Sequence, residues 1–550
     1  MNGAEAVVAI MEQEHVPFVA GIPGSGVMDY LDVLYRTASP RYILVRHEQV
    51  AVHMALGYAE LSARPAVVLV SRSPGASNTV IGVQAAAVEG SPMVLLSSHV
   101  ASTARGLGAF QEIDLESVFR PITKMSVEVR AATRVPEVLQ EAFRVATSGR
   151  PGPVHVSIPL DFPHTEVSGA FAPPSATIQG RLAPHPAALV KAVDLLAAAA
   201  RPVIVAGGGV TKAGAAGEVL ALADLLGAAV TNTWEKKAVV DDHPLAVGNI
   251  GRGGSGSSAA ALHRADVVLA VGVRFSEFAT EDYRMQFSSD QQLIQIDVDP
   301  ATVGRVYPVA VGMAADASLA LEAIIDRLKP VVDPAGHQEW RAEVARMRDD
   351  WQREIDDIDY DARPIASARV VRDLRAVTAK DAVICADSGN FNYFLARYYP
   401  ATAPGAYLYP AGAGPMGCGL PAAMGVKAAF PDRQVVAVAG DGGFAMTMQD
   451  LETCVREHLD VVTVVMNNFA YGNIKLRQQR KFGNRLIGSE LSNPDFGELA
   501  KLFGAHGETV TEPDELLPAL ERALGAGKAA VLDVHVDPEE MATATVDEWW

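Results

Sequence analysis

Asp441 and Asn468 are the residue pair through which this chain's chemistry is most directly read. Asp441 lies in Gly440-Asp441-Gly442-Gly443, and Asn468 closes the pair Asn467-Asn468. A carboxylate and an amide supply hard oxygen ligands, which suit Mg²⁺ or Ca²⁺. Mg²⁺ keeps few protein carboxylates and completes its octahedron with phosphate oxygens. The glycines beside Asp441 let backbone N–H groups approach an anion at a helix start. The chemistry implied is a metal-bridged diphosphate site.

Two side chains so far apart in sequence share an ion only if the fold brings them together. The apolar run 435–439 predicts a strand that breaks at 440–443; a helical pattern follows with Phe444, Met448 and Leu451. A second strand, 461–466, ends at Asn467-Asn468. This βαβ unit has a right-handed crossover, so both strand ends face one edge of a parallel sheet, where ligands of open α/β sheets sit.

The same alternation runs along the 550 residues, a length that fits about three to four domains. Short apolar strands at 18–20, 43–45, 67–70, 93–96 and 154–158 alternate with helical patterns. The fold class expected is α/β, with three doubly wound parallel-sheet domains at 1–168, 184–330 and 365–550. Phe171-Ala172-Pro173-Pro174 reads as a linker, and the charge-rich stretch 337–358 as a connecting helix. No short repeat is visible, but the first and third regions share a rhythm consistent with two similar sheets facing each other.

A net charge of −19 argues against nucleic acid or an anionic membrane as the main partner. The N-terminus has acids where a signal peptide needs basic residues, and no apolar run approaches the ~18 residues needed to span a bilayer. A soluble, unexported, cytoplasmic protein is expected. Cys385, Cys418 and Cys454 are widely spaced among apolar residues and read as buried thiols.

Gly440-Asp441-Gly442, twenty-four residues (443–466) and then Asn467-Asn468 resemble the fingerprint of thiamine diphosphate (ThDP) enzymes. The resemblance implies that Asp441, the Asn468 side chain and the Ala470 carbonyl hold Mg²⁺, with Gly442, Gly443, Tyr471, Gly472 and Asn473 around the diphosphate. The stretch RHEQVAVHMALGYAE (46–60) is similar to the segment in which acetolactate synthase and its relatives carry the ThDP glutamate. Taken alone, Glu48 reads as a solvated helix cap. The resemblance makes it catalytic: its carboxyl at the pyrimidine N1′ favours the imino tautomer, whose neighbouring nitrogen takes the C2 proton.

Further stretches fit the acetolactate synthase-like family. Gly21-Ile22-Pro23-Gly24-Ser25, with Ile22, is a strand-to-helix turn, and Ser73-Pro74-Gly75-Ala76-Ser77-Asn78 resembles the loop whose Pro and Asn, here Pro74 and Asn78, line the pyrimidine end. Gly108-Ala109-Phe110-Gln111-Glu112 resembles the pair, Phe110 and Gln111, that faces the reacting substrate. Each stretch alone is an ordinary turn or cap. GAGPMGCGLPAAMG (412–425) resembles the segment whose Met, here Met416, wedges under the cofactor, while the Gly414 carbonyl takes the pyrimidine amino group. Gly389-Asn390-Phe391 matches a further diphosphate-touching loop. Arg72-Ser73 depart from the family's more usual Ser-Gly.

In the middle region Gly207-Gly208-Gly209 follows a strand, and Gly272-Val273-Arg274-Phe275 and Ile296-Asp297-Val298-Asp299-Pro300 are similar to flavin-contacting stretches of acetolactate synthase. Ser276-Glu277-Phe278-Ala279 lacks that family's second arginine, and Gly251-Arg252-Gly253-Gly254 lacks its His-Gly-Thr wording. Two readings stay open: bound FAD, or a middle domain kept as packing scaffold.

The resemblance implies decarboxylation of a 2-oxo acid, with pyruvate as donor, followed by addition of the resulting enamine to a second carbonyl. Simple decarboxylases carry an adjacent His-His pair, and no His-His dipeptide occurs here. Where biosynthetic acetolactate synthases have an acceptor-shaping tryptophan, this chain has Arg477, near Ile474; it is either a solvated charge or a receptor for an anionic group. The family also implies a homodimer or homotetramer with active sites between subunits, Glu48 serving its partner's Asp441 site. The alternatives weighed are a non-oxidative decarboxylase, an acyl-CoA lyase, a non-catalytic partner subunit and, weaker because no complete GxGxxG is present, a NAD-type dehydrogenase.

Overall fold

The computed structural model describes residues 1–167 and 180–540. The linker expected at Phe171-Ala172-Pro173-Pro174 lies outside the described residues. Apolar β-branched runs too short for helices form three six-stranded sheets, and every described strand pair is parallel.

The first sheet comprises β1 (Phe18–Gly21), β2 (Arg41–Leu44), β3 (Ala66–Val70), β4 (Met93–His99), β5 (Met125–Glu128) and β6 (Pro153–Pro159), in the order β2-β1-β3-β4-β6-β5. The middle sheet comprises β7 (Pro202–Ala206), β8 (Ala229–Thr233), β9 (Ala246–Ile250), β10 (Val267–Val271), β11 (Gln292–Asp297) and β12 (Val311–Ala314), ordered β12-β11-β10-β7-β8-β9. The third comprises β13 (Val383–Ala386), β14 (Tyr407–Leu408), β15 (Val435–Gly440), β16 (Val462–Asn467), β17 (His506–Val510) and β18 (Ala530–His535), ordered β14-β13-β15-β16-β18-β17. Renumbered within each sheet, the first and third share one order, 2-1-3-4-6-5. The middle sheet has the dinucleotide-fold order 3-2-1-4-5-6. The charge-rich connector is the helix Gln338–Asp356.

The strand expected at 435–439 ends at Gly440 and the helical pattern begins at once, as the helix Asp441–Thr447, which ends in a 3₁₀ turn at Met448–Asp450 before Leu451–Arg456. One expectation needs correction. Ser73–Ser77 is a short helix rather than a loop, with Pro74 in its first turn, where a missing N–H is harmless. The strand β5 was not foreseen, because its half-buried sequence MSVE lies at a sheet edge, where alternation is weak.

The first and third regions are joined by a helix crossing. Helix Glu48–Ser62 packs on helix Gly419–Ala429, and a Cβ on Gly57 would lie 2.3 Å from the Ala422 carbonyl oxygen. A Cβ on Gly425 would lie 1.9 Å from the Met54 carbonyl oxygen, so the two backbones touch where glycine stands. One apolar core accordingly runs from Val68 and Ala55 to Ala423 and Val435. The three cysteines are free and buried, and burial pushes their thiols well above the usual range.

Candidate active site

In the third sheet β13, β15 and β16 are adjacent, so the segments after them converge at one edge. Asp441 opens its helix beyond β15 and is 1% exposed. Asn493 Nδ2 donates to Asp441 Oδ2 (2.7 Å) and to Asn467 Oδ1 (3.0 Å). Asn467 also donates to Asp533 Oδ1 (3.0 Å) and accepts the Phe469 N–H (3.1 Å), so the first amide of the pair is committed to the fold. Asn468 Oδ1 accepts the Ala470 N–H (3.2 Å), and Phe469 between them is left-handed, at φ +54°. Burial pushes the Asp441 carboxyl up, against hydrogen bonds from Asn493, Gly442 and Ala470. A divalent cation would offset that burial cost.

The glycines allow close approach. A Cβ on Gly442 would sit 2.4 Å from the Tyr471 ring, one on Gly472 would lie 2.7 Å from Asn468 Nδ2, and one on Gly389 would lie 2.4 Å from the Phe391 ring. Asn390 Nδ2 donates to the Glu540 carbonyl (2.9 Å). Among the described residues no cluster of three His, Cys, Asp or Glu side chains is placed to hold a metal. One carboxylate, one amide oxygen and one backbone carbonyl need no such cluster for Mg²⁺.

Two further residues shape this edge and were not singled out from the sequence. Asp387, 1% exposed, follows β13 and accepts the N–H groups of Ser388 (2.6 Å), Gly417 (3.0 Å) and Gly419 (3.2 Å). It ties the 412–417 loop, with left-handed Gly414 and half-buried Met416, to the start of helix Gly419–Ala429. Burial pushes its carboxyl up to about 6, the backbone donors opposing. Asn493 is the other. The contacts that tie Asp387 to Gly417 and Gly419, and Asn493 to Asp441, join residues thirty or more apart, so no local signal marks them.

Glu48 begins helix Glu48–Ser62, capped by His47, whose Nδ1 accepts the Gln49 N–H (3.1 Å). It is half-buried; its Oε2 accepts from Asn78 Nδ2 (2.9 Å), and Gly75 leaves room beside Oε1. The segment before it is clamped by the third region: the Arg46 N–H donates to Asp450 Oδ1 (2.9 Å), and Arg46 pairs with Glu452 (3.1 Å). Gln49 Nε2 donates to the Met416 carbonyl (3.3 Å).

Asn78 and Gly75 thus lie beside Glu48, Pro74 precedes Gly75 in the same short helix, and Ile22 follows β1 at the same sheet edge. Phe110 is exposed and Gln111 is left-handed, at φ +64°. The two family-atypical residues hold this loop: Arg72 Nη1 donates to the Phe110 carbonyl (3.2 Å), and Ser73 Oγ to the Gln111 carbonyl (2.9 Å). Within one chain, the described hydrogen bonds of Glu48 stay in the first region and those of Asp441 in the third.

The helix Gly472–Lys481 carries Ile474, exposed, and Arg477, half-buried, with Asn473 in its first turn. Arg477 lies close enough to act on Arg252 and Tyr393: burial pushes the Tyr393 hydroxyl up to about 12, with the charges of Arg252 and Arg477 pulling it down. Arg252 is buried over the Phe278 ring (4.4 Å) and paired with Asp282 and Glu277.

A cavity of about 670 Å³ lies between the middle and first regions, with Gly207 to Gly209, Arg274 and Asp297 among its lining residues. A Cβ on Gly207 would fall 2.3 Å from the Gly272 carbonyl oxygen, so two glycine segments meet backbone to backbone at its wall.

Residues 1–118, 189–324 and 387–534 match the families described as the N-terminal TPP binding domain, central domain and C-terminal TPP binding domain of thiamine pyrophosphate enzymes. The chain is 34% identical to the probable acetolactate synthase large subunit of Methanococcus aeolicus, over 98% of this chain and 92% of that one. It is 33% identical to the acetolactate synthase isozyme 3 large subunit of Escherichia coli (strain K12), over 100% and 98%. To the acetolactate synthase large subunit of Corynebacterium glutamicum it is 34% identical, over 95% and 84%.

Proposed function

This chain belongs to the acetolactate synthase-like family of thiamine diphosphate-dependent enzymes, and from that premise we propose a carboligase that decarboxylates a 2-oxo acid, with pyruvate as donor, and joins the remaining fragment to a second carbonyl. The observation that carries the reading is the Asn493 bridge. It commits Asn467 to the fold and sets Asp441 beside the Asn468-Ala470 turn, an oxygen set of the kind Mg²⁺ takes with a diphosphate.

Thiamine diphosphate, when bound, supplies the carbon nucleophile that no side chain provides. Asp441, Asn468 and the Ala470 carbonyl would hold Mg²⁺, and Gly442, Gly443 and residues 471–473 would receive the diphosphate. Glu48, oriented by Asn78, holds a proton at the pyrimidine ring, and Ile22 and Pro74 wall that end. Gly414 and Met416 support the rings from the third region; Gly389 to Phe391 close the diphosphate side. Phe110 and Gln111 face the reacting carbon, and Ile474 and Arg477 the acceptor, Arg477 favouring one that bears an anionic group.

The acid and the metal set belong to different halves of a chain in which they share no described hydrogen bond, which supports a homodimer with each site between subunits. A second cofactor reading rests on the cavity, whose glycine wall and strand-end Asp297 suit a dinucleotide such as FAD. The visible absorption spectrum of purified protein tests it.

The test of the reaction is product analysis with pyruvate, alone and with a second oxo acid or aldehyde. New carbon–carbon bonds are expected. Free aldehyde as the sole product would replace the carboligase with a simple decarboxylase.

A further inference from the structure

Two helices run from the Glu48–Asn78 pair toward the middle cavity. Glu48–Ser62 has Glu48 as its first residue and Glu60 near its end; Val80–Glu89 starts two residues after Asn78 and ends on Glu89. Both far-end carboxylates are buried, at 7% and 5% exposure. Glu60 pairs with Lys212 (2.8 Å) and with Lys236; Glu89 pairs with Lys236 (3.4 Å) and Arg274 (4.0 Å). Lys212, Lys236, Arg274 and Glu89 all line the 670 Å³ cavity.

Glu89 also reaches the third region. Its Oε1 accepts the Gly412 N–H (2.8 Å), and a Cβ on Gly412 would lie 3.0 Å from that oxygen and 3.4 Å from Arg274 Nη2. Gly412 opens the loop that carries Gly414 and Met416. One carboxylate therefore touches all three regions: its own helix end, two cations of the cavity wall and the first amide of the cofactor loop. Lys236 stays protonated there, because burial pulls it down but the charges of Glu60 and Glu89 outweigh burial.

We propose that Glu89, acting with Lys236 and Arg274, is a positioning residue that couples occupancy of the middle cavity by a nucleotide diphosphate to the setting of the 412–417 cofactor loop. The inference rests on the cavity being a nucleotide site, as read above. The lining has six cations, Lys212, Lys236 and Arg274 among them, to four carboxylates, Glu89 and Asp297 among them, so a diphosphate meets surplus positive charge. Fixing the Lys236 and Arg274 side chains costs conformational entropy once. Whichever ligand binds first bears that cost, and the other binds more tightly. The coupling is then positive and reciprocal.

The experiment titrates ThDP, with Mg²⁺ in excess, into protein freed of cofactor, with and without saturating FAD, and with ADP as the shorter probe. In the unaltered chain FAD tightens ThDP on the order of five- to tenfold. In Glu89→Gln, whose amide oxygen still accepts from Gly412 but whose charge is gone, ThDP binds about tenfold more weakly, and FAD, still bound, no longer tightens it. The KM for the 2-oxo acid stays within about twofold, a split that general loosening of the fold would not produce. If Glu89→Gln is poorly folded, Glu89→Gln/Lys236→Gln, which removes a matched pair, takes its place with the same expectation. Full-sized coupling in a folded variant, or unchanged ThDP affinity, overturns the proposal while the cavity reading survives. Failure of both FAD and ADP to bind the unaltered chain overturns the cavity reading and the coupling with it, leaving the proposed carboligase untouched.

Discussion

In the proposed reaction Glu48 has the most exacting task of any side chain, since its carboxyl would meet one nitrogen of the cofactor while Asn78 holds its Oε2. Glu48→Gln should retain ThDP but lower kcat by roughly 10²- to 10⁴-fold and abolish C2 proton exchange, read by NMR. Unchanged exchange would remove Glu48 from the mechanism. Asp387 makes a different prediction. Its carboxyl is raised to about 6 by burial, so the folded state holds the proton more tightly than the unfolded chain. The neutral form's stabilisation is full below the ordinary aspartate range, near pH 4, and is lost as pH rises through about 6. The stability difference between the unaltered chain and Asp387→Asn, from urea unfolding, should therefore fall between those limits and level off above them. Asp441 and Asn468 are singled out by residue type and spacing, and Glu48 by the resemblance of the segment around it. Asp387 and Asn493 were not, since an isolated Asp or Asn carries no sign of the distant amides it will meet.

At the scale of elements, the crossing of Glu48–Ser62 with Gly419–Ala429 decides how the acid-bearing helix sits on the cofactor-loop helix. Gly→Ala inside a helix normally stabilises by about 1 kcal/mol. At Gly425 the added carbon would fall 1.9 Å from a backbone oxygen that cannot yield, so contact outweighs propensity. Gly425→Ala should destabilise by about 3 kcal/mol and lower the unfolding midpoint. Most of the expected strands lie within two residues of their positions, because buried parallel strands are continuous apolar runs; β4 runs three residues further, to His99. The 440–443 junction follows its reading: the strand ends and the glycines serve the first turn of a helix pressed against Tyr471 and Asp387. Ser73–Ser77 differs, since its Pro and Gly read as a loop but form a helical turn.

The whole molecule repeats one sheet order in its outer regions and interposes a dinucleotide-type sheet whose cavity borders the first region. If each site takes Glu48 from one copy and Asp441 from another, two inactive variants should rescue each other. Glu48→Gln and Asp441→Ala, mixed and reassembled, form half mixed dimers, each with one intact site. About a quarter of full activity should return, by the arithmetic of two-fold assembly. No recovery after verified subunit exchange would place both groups in one subunit.

The sequence by itself determined the three-domain α/β plan and, through the resemblance of its motifs, the cofactor family, and it singled out Glu48, Asp441 and Asn468 as the proposed acid and metal ligands, because hydrophobic period and motif spacing are properties of the chain. Only the tertiary structure decided which amide of Asn467-Asn468 is spent on the fold, that Arg72 and Ser73 hold the Phe110-Gln111 loop, and that Glu89 meets three regions at once. Those outcomes depend on which distant donor reaches a buried oxygen, and a buried polar group takes whatever partner packing brings to it.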